Sequence, residues 1–310
     1  MMDALHFTKA ASMLLFYSSY YRLLNDCHRY IILDKQIIDF ANTAINRPDM
    51  KGEHDIFNRV MPRDNIAVVT FFENRLTGSR IIVVNAHIYW DPAFKDVKLV
   101  QVAILMEQLS KLAEKYAKWP ALTDKTLLRN SVLNDGDEGD VENVSQAEPA
   151  PSMQYMSGSQ IPLIICGDFN STADSGVYDL LAHGTLASTH SDLANRGYGN
   201  FTRDGMTHPF SLKSSYSNVG ELSFTNYTPG FTGVIDYIWY STNALQVTGL
   251  LGEVDKEYLQ RVPGFPNYHF PSDHLALLAE FSVKGRKEAK KVHTEPDFGP
   301  QRDNRKGGRG

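Results

Sequence analysis

The chain has only two cysteines in 310 residues, Cys27 and Cys166. A disulfide-stapled secreted scaffold is excluded, and Cys166, inside a strand-like apolar run, reads as a small buried thiol in a reducing compartment. No apolar run is long enough to span a bilayer, so no membrane association is expected. The apolar stretch at residues 10–17 is short, is followed by Tyr20-Tyr21-Arg22 and lacks a small-residue cleavage site, so no secretory leader is expected either. Positive charge is not in excess: the formal net charge is −5. That argues against a protein that coats nucleic acid through bulk charge. It leaves open an enzyme that takes a few nucleotides into a cleft where a bound metal supplies the positive charge. Lys and Arg are missing between Ser131 and Gln160, and the only Glu before residue 70 is Glu53.

What is present is orderly from Tyr30 onward. Residues 66–72 and 81–88 are rich in Val and Ile and read as strands, joined by the polar, Gly-containing hairpin Glu73-Asn74-Arg75-Leu76-Thr77-Gly78-Ser79. Residues 96–119 predict a helix. Val97, Val100, Ile104, Leu105, Leu109, Leu112 and Tyr116 recur on one face; Lys98, Gln101, Gln108, Lys111, Glu114 and Lys115 take the other; Pro120 stops it. Residues 161–166, 234–240 and 275–281 are three more strand-like runs. Residues 121–160 are acidic with little to bury, which predicts a disordered surface insertion, and the basic, Gly-rich residues 284–310 predict a disordered tail. Residues 1–28 are aromatic and Ser-rich with no clean period. Strands with polar ends plus a few helices predict an α/β sandwich with the site at one edge of packed sheets.

Three runs carry the chemistry: Gly167-Asp168-Phe169-Asn170-Ser171, Gly233-Val234-Ile235-Asp236-Tyr237 and Ser272-Asp273-His274. Each lies beside an apolar strand, where an acid or imidazole is unfavourable without a partner or a metal. Asp168, Asn170 and Asp273 offer hard oxygens suited to Mg²⁺ or Mn²⁺. Asp236, inside a β-branched and aromatic strand, needs a buried partner, and His274 is the natural one. Asp168 and Asn170, two apart, share a side if the extended backbone continues. His87, at a strand end before Tyr89-Trp90-Asp91-Pro92, is placed to donate to a phosphate. Together these are the parts for metal-assisted attack of water on a phosphodiester.

The runs Asn85-Ala86-His87 with Trp90-Asp91-Pro92, Gly167-Asp168-Phe169-Asn170-Ser171, Asp174-Ser175-Gly176, Thr225-Asn226-Tyr227-Thr228 with Phe231, Gly233-Val234-Ile235-Asp236-Tyr237 and Pro271-Ser272-Asp273-His274 resemble the endonuclease/exonuclease/phosphatase superfamily. Within it they are most similar to the poly(A)-specific nucleases of the carbon catabolite repressor protein 4 type. The resemblance spans residues 28–283. It implies a DNase-I-like two-sheet sandwich flanked by helices, and Mg²⁺-dependent 3′→5′ exoribonuclease activity that shortens mRNA poly(A) and releases 5′-AMP. It also implies a place among the subunits of a deadenylation complex, in cytoplasm and nucleus. By resemblance, Asp168 is the catalytic carboxylate and a metal neighbour, and Asp273 completes the metal set. His87 and His274 contact the scissile phosphate, Asp236 supports His274, and Asn170 contacts substrate. Pro92, Asn226 and Phe231 sandwich and read adenine.

The departures matter as much. Members of the family open the domain with strands that carry an Asn and a Gln-Glu pair, whose Glu is the principal Mg²⁺ ligand; neither run occurs here, and the leucine-rich docking repeats are missing as well. The chain therefore reads as an N-terminally truncated nuclease domain, 29–283, behind an unrelated segment, 1–28, with weak or no activity of its own unless another residue such as Glu53 supplies the ligand. Two other readings fit the residues: a non-catalytic RNA- or complex-binding remnant, and a small-molecule phosphatase of the same superfamily.

Overall fold

The computed structural model describes residues 4–9, 29–123 and 150–284. Most of the opening segment, the centre of the acidic insertion and the basic tail beyond residue 284 lie outside the described residues, as does Cys27.

Six strands form a large mixed sheet in the order β2-β3-β4-β5-β11-β8: β2 (Tyr30–Asp39), β3 (Ile66–Asn74), β4 (Arg80–His87), β5 (Leu163–Asp168), β11 (Asp236–Ser241) and β8 (Leu212–Ser214). Only β4 and β5 run parallel. A second sheet has the order β1-β13-β12, from Ala4–Lys9, Leu277–Val283 and Leu245–Leu250. The pairing of β1 with β13 gives part of the first 28 residues a place on a sheet edge. Among the described residues there are also two small ladders: β6 (Thr185–Leu186) with β7 (Met206–Thr207), and β9 (Asn226–Tyr227) with β10 (Thr232–Gly233).

The central strands read as unbroken apolar runs because both of their faces are covered. In β5, Leu163 and Ile165 join the core under the helices, while Ile164 and Cys166 face the second sheet. In β11, Tyr237 and Trp239 point one way, Ile238 and Tyr240 the other. Phe281, Ala279 and Leu277 of β13 close the inter-sheet core. On the opposite face lies the long helix α2 (Lys95–Ala117), preceded in the chain by the short α1 (Phe40–Ile45); α3 (Gly176–His183) follows β5 and is capped by Ser175.

Helix α2 departs from its expected amphipathic form. Residues 96–106 are all buried, including Lys98 and Gln101, which the helical stripe assigned to the outer face. The helix is covered on both sides in its first three turns. Gln101 is satisfied internally: its Oε1 accepts from Tyr89 N at 2.8 Å and its Nε2 donates to Asn65 Oδ1 at 3.2 Å. Asp96 is held by Nε and Nη2 of Arg59, at 2.7 and 2.8 Å, and by the Tyr198 hydroxyl. Burial pushes the Asp96 carboxyl up, but Arg59 and Tyr198 together hold it below its usual range.

The insertion ends earlier than its composition suggested. Residues 150–160 pack on the β3–β4 hairpin: Ala150 N donates to Leu76 O at 2.9 Å and Met153 N to Gly78 O at 2.8 Å. Gly78 sits at φ +67, and a Cβ there would collide with the Pro151 carbonyl. Beneath lies a fully buried pair, Arg80 Nε to Glu73 Oε2 at 2.8 Å. Arg80 also donates to the Trp119 and Pro120 carbonyls, and Ser152 Oγ donates to Glu73 Oε1 at 2.7 Å. Both ends of the insertion are tied to this one buried charge network.

Candidate active site

Strand parity and register build the site. His87 is the last residue of β4, Asp168 the last of β5 and Asp236 the first of β11. His87 is paired with Asp168, and Asp168 with Asp236, so the three stand in one row across the sheet. Residues in register share a face. Asp168 follows Ile164 and Cys166 by the alternation of two, so that face is the one toward the second sheet. From that side comes His274, three residues before β13.

His274 Nδ1 lies 2.7 Å from Asp236 Oδ2, and its Nε2 lies 3.8 Å from Asp168 Oδ2. His87 Nε2 approaches the same Asp168 oxygen at 3.7 Å, with a side chain 51% exposed at the rim. Asp236 is fully buried. A buried carboxylate on Nδ1 fixes the tautomer and turns Nε2 to the cleft. Thr225, which sequence reasoning did not single out beyond its motif, braces this acid: its Oγ1 accepts from Ile235 N at 3.0 Å and Asp236 N at 3.1 Å. Thr225 and Tyr227 are in turn laced to Leu275 and Asp273 by backbone hydrogen bonds of 2.7 and 3.0 Å.

Asn170 does not continue the strand. Its φ of 48 puts it in the left-handed region, which Asn tolerates better than most residues. Asp168 and Asn170 thus meet through a turn and not through a shared strand face: Asn170 N donates to Asp168 Oδ1 at 2.8 Å and its Nδ2 donates to Ile88 O at 2.9 Å. Ile88 N returns a bond to Asp168 O at 2.9 Å. Asp273 is oriented away from the His274 pairing; its Oδ2 accepts from Asn226 Nδ2 at 3.3 Å. Asn226 itself is buried. Phe231 closes the β9–β10 hairpin with its ring 42% exposed and packed over Gly233. Pro92 is exposed in the loop that enters α2, and no hydrogen bond or ring contact brings it to Phe231.

Among the described residues one group has the spacing to hold a metal: Asp168, Asp236 and His274, with ligand atoms within 4.8 Å of one another. Asp273 is not a member of it. Asp236 and His274 Nδ1 satisfy each other, which leaves the Asp168 carboxylate as the hard oxygen donor. Mg²⁺ keeps several waters and needs only one or two carboxylates beside a phosphate, so the donor set fits. Glu53 stands apart from this group, packed against Gly197.

Residues 151–274 match the sequence model of the Endonuclease/Exonuclease/phosphatase family. The chain is 67% identical over 275 residues to the CCR4-Not complex 3′-5′-exoribonuclease subunit Ccr4 of Phaeosphaeria nodorum, covering 89% of this chain and 45% of that protein. It is 66% identical to the protein of the same name from Coccidioides immitis, covering 89% of this chain and 36% of that one. The chain carries an endonuclease/exonuclease/phosphatase-family domain. It spans less than half the length of these curated relatives. The family fold is present too: the crystal structure of ANGEL2, a 2′,3′-cyclic phosphatase, superposes with a TM-score of 0.54 at 22% identity, covering 82% of this chain and 68% of that one. The family's two-sheet, DNase-I-like sandwich accounts for the site lying where the ends of β4, β5 and β11 meet the approach to β13.

One polar group at the site was misread in the sequence. Lys98, on α2, is buried and its Nζ donates to the Asn170 carbonyl at 2.6 Å. Burial pulls its ammonium down to about 8, against the attraction of Asp168 and Asp91. The signal was there: Val97-Lys98-Leu99-Val100-Gln101-Val102 has too few polar residues for a solvent-facing helix.

Proposed function

We propose that this chain is a 3′→5′ exoribonuclease that shortens poly(A) and releases 5′-AMP, working as part of a deadenylation complex. The observation that carries the reading is the Asp236–His274–Asp168 line at 2.7 and 3.8 Å, with His87 opposite. RNA as the substrate class is supported by the names of relatives at 66 to 67% identity, and poly(A) by the resemblance of the sequence motifs. Asp168 would hold Mg²⁺, or Mn²⁺, which neutralises phosphate charge and lowers the pKa of bound water. The chain's own groups do the rest. Asp168 orients the attacking water. His274, fixed by Asp236, presents Nε2 to a non-bridging oxygen or to the proton in transit. His87 donates from the rim. The second N–H of the Asn170 amide serves a phosphate oxygen. Phe231 offers a stacking face for the terminal adenine, flanked on the other side by Pro92, and Asn226 Oδ1 accepts from its exocyclic amine.

The test is hydrolysis of 5′-labelled oligo(A) RNA with millimolar Mg²⁺. Stepwise 3′ shortening with 5′-AMP as product, abolished by chelation and by Asp168→Asn, is expected. Shortening that survives Asp168→Asn, or equal turnover of oligo(U), would overturn the assignment.

A further inference from the structure

Lys98 is 4% exposed, and its ammonium makes one hydrogen bond among the described residues, to the Asn170 carbonyl. A methionine of similar length at this buried position would bring no charge to desolvate. A cation in this place is unfavourable for folding unless it serves something else. The turn it holds links directly to the acid of the site. Asn170 occupies a left-handed conformation, its N–H donates to Asp168 Oδ1, and its side chain ties the turn to Ile88. The neighbouring residues are anchored as well, Phe169 N to Ile235 O at 2.9 Å and the Tyr237 hydroxyl to Ser171 O at 3.0 Å. Lys98 is the cationic member of this set. It also stands in the field of three carboxylates, Asp168, Asp91 and Asp192, so its loss leaves the cleft more negative toward an entering phosphate.

We propose that Lys98 is a positioning residue of the active centre: reaching up from α2, its ammonium clamps the Asn170 carbonyl, locks the left-handed turn after β5, and so fixes the Asp168 carboxylate against His274 and His87. It deepens the reading of the cleft as a phosphodiester-hydrolysing centre and rests on it. The clamp comes from the helix and acts on the turn through the Asn170 carbonyl.

Lys98→Met and Lys98→Arg decide it, each in the full chain. In Lys98→Met, exchange of the Asn170 amide hydrogen should quicken by roughly tenfold or more while the rest of β5 stays protected. Its kcat on oligo(A) should fall roughly 10- to 100-fold, with KM within a few-fold, since small misplacements of reacting groups act on the chemical step. Its Tm should hold or rise, because a buried charge has gone. Lys98→Arg should recover part of kcat and of the Asn170 protection. Unchanged exchange at Asn170 in Lys98→Met overturns the proposal. So does faster exchange across the whole sheet with a fallen Tm, the mark of a lysine that only supports the fold. A parent chain that hydrolyses no oligo(A) defeats the functional reading, and the Asn170 exchange then still decides the clamp.

Discussion

Asp168 and Asp236 face each other as register partners across adjacent antiparallel strands, and the imidazole of His274 lies between their carboxylates. Two acids this close would repel without a group between them that is able to carry a proton. The pairing is unequal: Asp236 is sealed at 2.7 Å on Nδ1, and Asp168 stands 3.8 Å off Nε2, open to the cleft. In the proposed reaction that asymmetry casts Asp236 as the orienting acid and Asp168 as the reacting one.

Asp236→Asn keeps the shape and replaces the acceptor oxygen or presents a donor to Nδ1. The tautomer of His274 should then be lost and kcat on oligo(A) should fall by roughly 10²-fold or more. Nitrogen-15 NMR of His274 reads the tautomer directly. A retained Nδ1–H signal with full activity would show that the pair is ornamental.

Phe231→Ala should weaken the handling of adenine by about 1–3 kcal/mol of lost stacking, because the ring is exposed at the hairpin tip and makes few core contacts to lose. The measurement is kcat/KM on oligo(A) relative to oligo(C) and oligo(U). A drop shared equally by all three homopolymers would place Phe231 outside base recognition.

The metal should be held loosely. Asp168 is the one carboxylate of the cluster not already spent on an imidazole, Asp273 is engaged with Asn226, and Glu53 packs elsewhere. Binding through one carboxylate and water is weak for Mg²⁺. Titration with Mn²⁺ followed by electron paramagnetic resonance should give no micromolar site, and oligo(A) hydrolysis should be slow beside that of a full-length relative. Tight Mn²⁺ binding, or equal rates for the two, would mean that another residue completes the coordination.

Breaking the buried Glu73–Arg80 pair should destabilise strongly. Arg80→Met leaves Glu73 charged, 0% exposed and short of its guanidinium, a loss of about 3–5 kcal/mol for an unpaired buried charge. Urea unfolding measures it. The double variant Glu73→Gln with Arg80→Met should recover part of the loss; a double variant worse than the sum of the singles would contradict the unpaired-charge explanation.

Glu221 gives a pH signature. Burial pushes its carboxyl up, although Ser214 and Tyr178 donate to it at 3.0 and 2.9 Å and pull the other way. A raised pKa in the folded state means the fold binds the proton more tightly than the unfolded chain. Its contribution is thus fully present below the ordinary carboxylate range and is lost as pH rises through the folded value. Glu221→Gln should flatten Tm against pH over that window and raise Tm at neutral pH. An identical pH profile for the two proteins would exclude Glu221 as the source.

Much of this could be read along the chain. The alternation that puts Ile164 and Cys166 on one face puts Asp168 there too, and the turn residues after it mark where the strand stops. The apolar run behind Asp236 required a partner for that acid, and His274 is the partner the structure supplies. These are local signals, carried by residues two or four apart, and local periodicity reports them.

What the sequence alone determined, then, is which residues stand at strand ends and which side of each strand they share. Tertiary structure decided which strands lie next to which, and hence that Asp236 falls opposite Asp168 and not one pair away. It also decided that Lys98 and Gln101 are buried, since a helix covered on both sides by distant loops carries no mark of the second cover in its own stripe. The same holds for Glu73 with Arg80 and Ser152, where the bonds of the network reach 79 residues along the chain. A buried polar side chain is stable only with its partners in place, and those partners come from wherever the fold brings the chain back, which no short window of sequence contains.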